Sequence, residues 1–165
     1  ICIRGYNVMI GYLGLEQKNN QVFKNGWFHS GDYGRMDSEG YYYFHGRRDS
    51  LIIKGGENIY PAEIENILYK HSDVDECAII GIPDKLRGEE ICAFIKIKKN
   101  KTLSEIFFKD FLVGKIADYK HPKKIIIINN LKDLKTIPKG PTKKILYRKL
   151  KEYYMAKLKT SENSD

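Results

Sequence analysis

No stretch of this chain approaches the roughly 20 consecutive apolar residues that cross a bilayer, and the apolar run at residues 125–128 is the length of a strand. The sequence therefore offers no helical membrane span. It opens on no signal-peptide pattern, and residues 161–165 match no address or lipidation signal. The first residue is Ile1 rather than Met, as expected of a chain whose true N-terminus lies upstream. Cysteine is scarce: Cys2, Cys77 and Cys92 are odd in number, far apart, and form no CxxC. Two of them sit in strand-like runs, which predicts buried, reduced thiols and fits a cytoplasmic location. The four histidines, His29, His45, His71 and His121, show no ligand spacing with one another or with the cysteines. They are expected to be structural, with no protein-held metal. Internal repeats are absent.

What is present is ordinary in bulk and uneven in charge. The chain has 165 residues, 42% hydrophobic and 30% charged. That composition excludes wholesale disorder, and the length suits one domain, or one domain plus part of another. The net charge of +8 is concentrated late: residues 1–95 carry 10 basic and 14 acidic side chains, residues 96–165 carry 19 and 7. A half with +12 fits a solvated lysine-rich face, a phosphate-rich small ligand, or a nucleic acid.

Along the chain, residues 1–13 look like an edge strand and a turn, and the polar residues 16–21 like a loop. Asp37, Ser38, Glu39 and Gly40 form a turn signal before the aromatic run 41–44, so this region reads as a hairpin with aromatics on both faces, which Gly46 then ends. A short strand at 50–54 precedes Gly55 and Gly56, where the backbone can turn left-handed or admit a ligand closely. Pro61 suits a helix first turn, and Ile64, Ile67 and Leu68 make an apolar stripe to about residue 70. Residues 74–82 and 89–97 read as apolar strands joined by a polar loop. Ser104 is a helix N-cap, residues 125–128 a strand, and residues 135–143 a Pro/Gly/Lys loop. A last amphipathic helix carries Leu146, Leu150, Tyr153, Tyr154 and Leu158. From Ser50 on, this pattern predicts an α+β fold, a small mixed sheet with packed helices. The part before Gly46 is nearly all strand and turn, and the pattern shifts near residues 46–50.

Several segments, in this order, resemble the adenylate-forming superfamily of acyl-CoA synthetases, firefly luciferase and peptide-synthetase adenylation domains. Residues 4–12 resemble its RGxNVMxGY segment. Residues 26–32 resemble GWxxTGD, with Ser30 for Thr. Residues 46–65 resemble GRxxDxIxxGGxNIxPxEIE, residues 80–89 VGVPDxxxGE, and residues 138–150 PKxxxGKIxRxxL. The family's phosphate-binding loop and acyl-pocket motif have no match. The resemblance therefore implies the C-terminal portion only: residues 1–48 as the β-rich end of the large AMP-binding domain, and residues 49–165 as the small mobile lid domain.

The resemblance implies an acid–thiol ligase of the acyl-CoA synthetase type. It would activate a carboxylate with ATP and Mg²⁺ as acyl-AMP, then pass the acyl group to coenzyme A. Its partners would be the missing N-terminal AMP-binding domain, a small-molecule carboxylate and coenzyme A, and the fragment alone is expected to be inactive. Asp32 falls where a carboxylate holds the ribose hydroxyls, a role suited to an ionised acceptor, and Arg47 at a second ribose contact. Asp49 falls at the hinge, where a residue absorbs a large dihedral change. Gly55 and Gly56 fall on the thiol tunnel. Lys144 falls at the adenylation lysine, whose ammonium meets charge developing at the α-phosphate. Two departures flank it: Lys143 stands where the family has Gly, and Tyr147 where it has Arg.

Two further readings stay open. One is a superfamily member that loads a carrier protein. The other is a basic nucleic-acid-binding module using Tyr119, Tyr147, Tyr153 and Tyr154 as stacking aromatics, although the resemblance points away from nucleic acid.

Overall fold

The computed structural model describes residues 1–162, with side chains through Leu158. It divides into two compact units, one of Ile1–Asp49 and a second beginning at Ser50. A 3-10 turn, Arg48–Ser50, carries the chain from one to the other.

The first unit contains β1 (Cys2–Ile3), α1 (Glu16–Val22), β2 (Phe23–Lys24), β3 (Trp27–His29), β4 (Asp32–Met36) and β5 (Tyr42–Arg47). β3 lies between β1 and β2 in a small antiparallel sheet, while β4 and β5 form a separate hairpin. Asp37 closes that hairpin by accepting the N–H groups of Glu39 and Tyr41 at 3.0 and 2.9 Å. These bonds and one from Tyr43 hold its carboxyl below the ordinary range, Tyr41 contributing most. Gly34 is required where it stands, because a Cβ there would lie 2.7 Å from the Tyr43 carbonyl oxygen.

Two local expectations fail here. Residues 16–21, expected as a loop, lie in α1. That helix is polar on every side and so gives no apolar period. It is held instead by the Asn19 side chain, which accepts the Tyr12 N–H at 2.8 Å and donates to the Tyr12 carbonyl at 2.9 Å. Gly46, expected to end the strand, lies within β5, where it pairs with Tyr33 beside a register shift. Gly46 is also the one buried residue of positions 1–49. Tyr6, Ile10 and Leu13 are fully exposed, so this unit has no core of its own.

The second unit contains β6 (Ile52–Lys54), β7 (Glu57–Ile59), α2 (Pro61–Leu68), β8 (Val74–Asp84), β9 (Gly88–Ile97), α3 (Glu105–Leu112), β10 (Lys124–Ile127) and α4 (Tyr147–Glu162). β9 is the spine of the sheet. It pairs antiparallel with β8 along its length, parallel with β10, and antiparallel with β6 at Lys54–Gly88. β6 carries β7 outward. This mixed sheet with packed helices is the α+β architecture that the sequence pattern implies.

The helices cover both faces of the sheet, which is why β8 and β9 read as nearly continuous apolar runs rather than as alternation. Side chains of one parity, including Cys77, Ile79, Ile91, Ala93 and Ile95, pack with Ile64 and Leu68 of α2 and Phe108 and Leu112 of α3. Those of the other parity, including Ala78, Ile80, Cys92 and Phe94, pack with Ile137 and with Leu150 and Tyr154 of α4. Each such aliphatic side chain taken from water contributes about 2 kcal/mol. The ends of both long strands differ from expectation. β8 runs on to Asp84 and β9 starts at Gly88, so the polar linker shrinks to a tight turn. Leu86 and Arg87 N–H groups there bond the Asp84 carboxylate, each at 3.0 Å. Ser104 caps α3 as expected, accepting the Phe107 N–H at 3.1 Å. Among the described residues, no helix is long and apolar enough to cross a membrane.

Candidate functional site

In the first unit, Asp32 and Arg47 are cross-strand partners at the open end of the β4–β5 hairpin. The Arg47 Nε lies 3.3 Å from Asp32 Oδ1. Ser30 sets up this end of the hairpin. Its hydroxyl accepts the Asp32 N–H at 3.1 Å and donates to the Ile1 carbonyl at 3.0 Å. Serine in place of threonine keeps that turn-forming hydroxyl. Gly31 adopts φ +77° and accepts the Arg48 N–H at 2.8 Å. Ser30, Gly31, Arg47, Arg48 and Asp49 line one cavity of about 1080 Å³ within this unit. Asp32 is not among the lining residues but is tied to that wall through Arg47. Asp49 is the last residue of the unit.

In the second unit, Gly55 and Gly56 form the two-residue loop between β6 and β7, with Lys54 paired to Glu57. Both glycines have positive φ, +59° and +88°, as a type I′ hairpin requires. A Cβ built on either meets no atom of the chain within 4 Å, so within this unit glycine is needed there for the backbone. Gly55 N–H donates to the Arg87 carbonyl at 2.8 Å, which ties this hairpin to the β8–β9 turn.

Lys144 lies on a small closed turn ahead of α4. Gly140 N–H donates to the Lys144 carbonyl and Lys143 N–H to the Gly140 carbonyl, both at 2.9 Å, and Leu146 N–H reaches the Pro138 carbonyl at 2.8 Å. Lys139 and Ile145 bridge its two legs. This is the pattern of a type I turn closed by a left-handed residue. Lys143 takes that left-handed place at φ +61°. Lys143 and Lys144 are both exposed, and neither side chain has a partner among the described residues. Lys144 and the Gly55–Gly56 pair are thus on separate turns of one unit.

Sequence reasoning missed three features. First, the buried carboxylate of Glu65 accepts the Ile79 N–H at 2.9 Å and the Tyr147 hydroxyl at 3.1 Å to each oxygen. Burial raises the Glu65 carboxyl above its ordinary value, against the pull of these bonds, and burial foremost raises the Tyr147 phenol. Second, Lys54 and Glu90 form a buried ion pair, with Arg87 at 3.7 Å from the same carboxylate. A lysine and a glutamate at the ends of apolar strand runs were the available signal. Third, these two line a cavity of about 590 Å³ with the basic Arg87, Lys109 and Lys123, the acidic Asp84 and Asp110, and His121. Here the His121 Nε2 is buried with no hydrogen-bond partner among the described residues. The cavity adjoins the strand that leads into Gly55, and its charges are largely matched, with Lys54 paired to Glu90 and Lys123 to Asp84.

Of the four aromatics proposed for stacking, Tyr119 is exposed and the other three are otherwise engaged. Tyr154 is buried, Tyr153 donates to Asp133 at 2.9 Å, and Tyr147 is bound to Glu65.

Comparison with known proteins shows what the chain as a whole is similar to. Residues 63–137 match the family model described as the AMP-binding enzyme C-terminal domain. A mitochondrial medium-chain acyl-CoA ligase of Rattus norvegicus is 44% identical over 129 residues, which is 78% of this chain and 21% of that protein. A 2-succinylbenzoate–CoA ligase of a Geobacillus species is 38% identical, covering 92% of this chain and 30% of its own length. Among solved structures, o-succinylbenzoate CoA synthetase from Bacillus subtilis, in complex with its acyl-adenylate intermediate, superposes with a TM-score of 0.82 at 37% identity. That match covers 91% of this chain and 29% of the other. The chain thus spans between a fifth and a third of the relatives it matches.

Proposed function

We propose, for a chain that belongs to the AMP-binding enzyme family and carries its C-terminal domain, that it supplies the C-terminal portion of an ATP-dependent carboxylate–CoA ligase. In the first half-reaction a carboxylate oxygen attacks the α-phosphorus of ATP and pyrophosphate leaves. In the second, the coenzyme A thiolate attacks the acyl carbon and AMP leaves.

The observation that carries this reading is the state of Lys144. Lys139 and Lys151, on either side of it in the chain, are committed to Glu76 and Glu89, while the adjacent Lys143 is as unpaired as Lys144 among the described residues but sits at the left-handed place of the turn. Lys144 is exposed on a closed turn with no side-chain partner among the described residues. Its charge is available to an anion brought from elsewhere, and a compact ammonium on a long stem suits that task. Asp32, steadied by Arg47, would accept the ribose hydroxyls. Mg²⁺ would arrive with ATP, held chiefly by phosphate oxygens. Gly55 and Gly56 would leave the pantetheine arm unobstructed, and Arg87 and Lys109 of the cavity beside Lys54 would meet phosphates of coenzyme A.

The domain assignment belongs to the same proposal. Residues 1–48 would complete the large AMP-binding domain, which accounts for a unit with exposed Tyr6, Ile10 and Leu13 and no core. Residues 49–165 would be the lid that swings about Asp49.

The test is carboxylate-dependent pyrophosphate release by the polypeptide that joins this chain to its large domain. Lys144→Ala is expected to lower it by on the order of 100-fold or more, with thioester formation from pre-made acyl adenylate largely kept. The 165-residue chain alone is expected to show no turnover. Unchanged pyrophosphate release in Lys144→Ala would sink the assignment.

A further inference from the structure

We infer that the carboxylates of Glu65 and Glu76 grip the Lys144 turn by its two legs and act as positioning residues for the adenylation half-reaction. The inference rests on the reading of Lys144 given above.

The turn is closed within itself by the hydrogen bonds around Gly140 and Pro138. Its internal shape is therefore set, and what remains to be fixed is how it stands on the rest of the unit. The leading leg is held by one carboxylate. Glu76 accepts the Thr136 hydroxyl at 3.1 Å to each oxygen and the Ile137 N–H at 3.2 Å, and the Lys139 ammonium lies 3.3 Å away. The trailing leg is held by the other, through the Tyr147 hydroxyl, which sits 3.1 Å from both oxygens of Glu65.

Both anchors refer the turn to one strand. Glu76 belongs to β8. Glu65 projects from α2 and takes the N–H of Ile79, three residues further along that strand. Among the described residues β8 pairs with β9 alone, so its outer edge is open to such contacts. Buried Ile137 and Leu150 flank the two grips. Tyr147 is three residues from Lys144 and Lys139 five, so a loosened grip moves the lysine directly. A displacement of about 1 Å at a reacting group can cost on the order of 100-fold in rate. The departure from the family motif at Tyr147 is explained in the same terms, because an O–H serves as the donor to Glu65 where a guanidinium would otherwise stand.

A grip that served folding alone would weaken both half-reactions together. One that positions Lys144 would weaken only the first. The experiment uses the ligase that joins this chain to its large domain, with Tyr147→Phe, Glu76→Gln, Tyr147→Arg and Lys144→Ala. Each is assayed for pyrophosphate release, for thioester formation from pre-made acyl adenylate, and for its thermal midpoint. Tyr147→Phe and Glu76→Gln are expected to lower kcat for pyrophosphate release 10- to 100-fold, with the KM for ATP and the thioester rate within about twofold. Tyr147→Arg is expected to restore most of the loss, because it again offers Glu65 donors. Equal losses in both half-reactions, or no loss in either, overturn the inference. Should Tyr147→Phe fail to fold, Glu76→Gln decides by the same split. If Lys144→Ala itself keeps pyrophosphate release, the assignment of Lys144 has failed and this inference falls with it. If Lys144→Ala loses it and the grip variants do not, the positioning role alone is overturned.

Discussion

Lys143 and Lys144 are neighbours on one turn, yet only Lys143 has left-handed backbone, at φ +61°. The position demands what glycine gives freely and a lysine adopts at a cost of about 1–2 kcal/mol. Lys143→Gly is therefore expected to raise stability, by about 0.5–1 kcal/mol after the extra freedom of glycine in the unfolded chain is set against it. A urea midpoint measured on both proteins checks this. Lys143→Val is expected to move it the other way, and an unchanged midpoint in both would mean the turn has another shape in solution.

Lys54 and Glu90 are each more than nine-tenths buried and face one another. Lys54→Met leaves the Glu90 carboxylate in the interior with the Ile91 N–H and, as its nearest cation, the more distant Arg87 at 3.7 Å. The expected cost is about 3 kcal/mol. Changing both, Lys54→Met with Glu90→Leu, is expected to recover most of it, since no lone charge then remains inside. A double-mutant cycle in denaturant reads the coupling directly, and additive losses would show that the pair does not act as one.

Asp84 is expected to titrate at about 2 rather than its ordinary 3.8, chiefly because of the Lys123 ammonium and next the N–H groups of Leu86 and Arg87. A depressed folded-state value means the stabilisation is complete above pH 3.8 and is lost as the pH falls through about 2. A carboxyl NMR titration would show the low midpoint, and Lys123→Ala should bring it back toward 3.8. A wild-type midpoint near the ordinary value would refute the ion pair at 3.0 Å.

Of the three thiols, Cys2 is exposed while Cys77 and Cys92 are buried. Burial pushes Cys92 up to about 12 and Cys77 higher still, so neither forms thiolate at neutral pH. An Ellman titration of the native protein is expected to show one fast thiol, and in guanidinium all three. A second fast thiol would mean that β8 or β9 opens readily.

The long strands and α2 were legible because their signals are local. Apolar runs mark β8 and β9, and Pro61 with a stripe of isoleucine and leucine marks α2. β7 was not legible, since Glu57 and Asn58 look like loop and only the pairing of Lys54 with Glu57 makes them strand. α1 escaped because a helix held by one asparagine side chain leaves no period to read. The site residues were marked by motif: Asp32 and Arg47 fall on paired strands, a left-handed turn could be expected at Gly55 and Gly56, and the left-handed backbone at Lys143 is visible only in three dimensions. The grip on the Lys144 turn could not have been read at all. Glu65 and Tyr147 are 82 positions apart, and no spacing rule reaches that far.

The two grips answer differently to ionic strength. Glu65 is buried and meets a neutral phenol and a backbone amide, so added electrolyte has little charge there to screen. Glu76 relies in part on Lys96 and Lys139, whose side chains are a quarter and more exposed, and those attractions fade within a Debye length of about 8 Å at physiological salt. Concentrated electrolyte thus slackens the leading leg of the turn while the trailing leg stays fast, and Lys144 then pivots about Tyr147 as a door does on one remaining hinge.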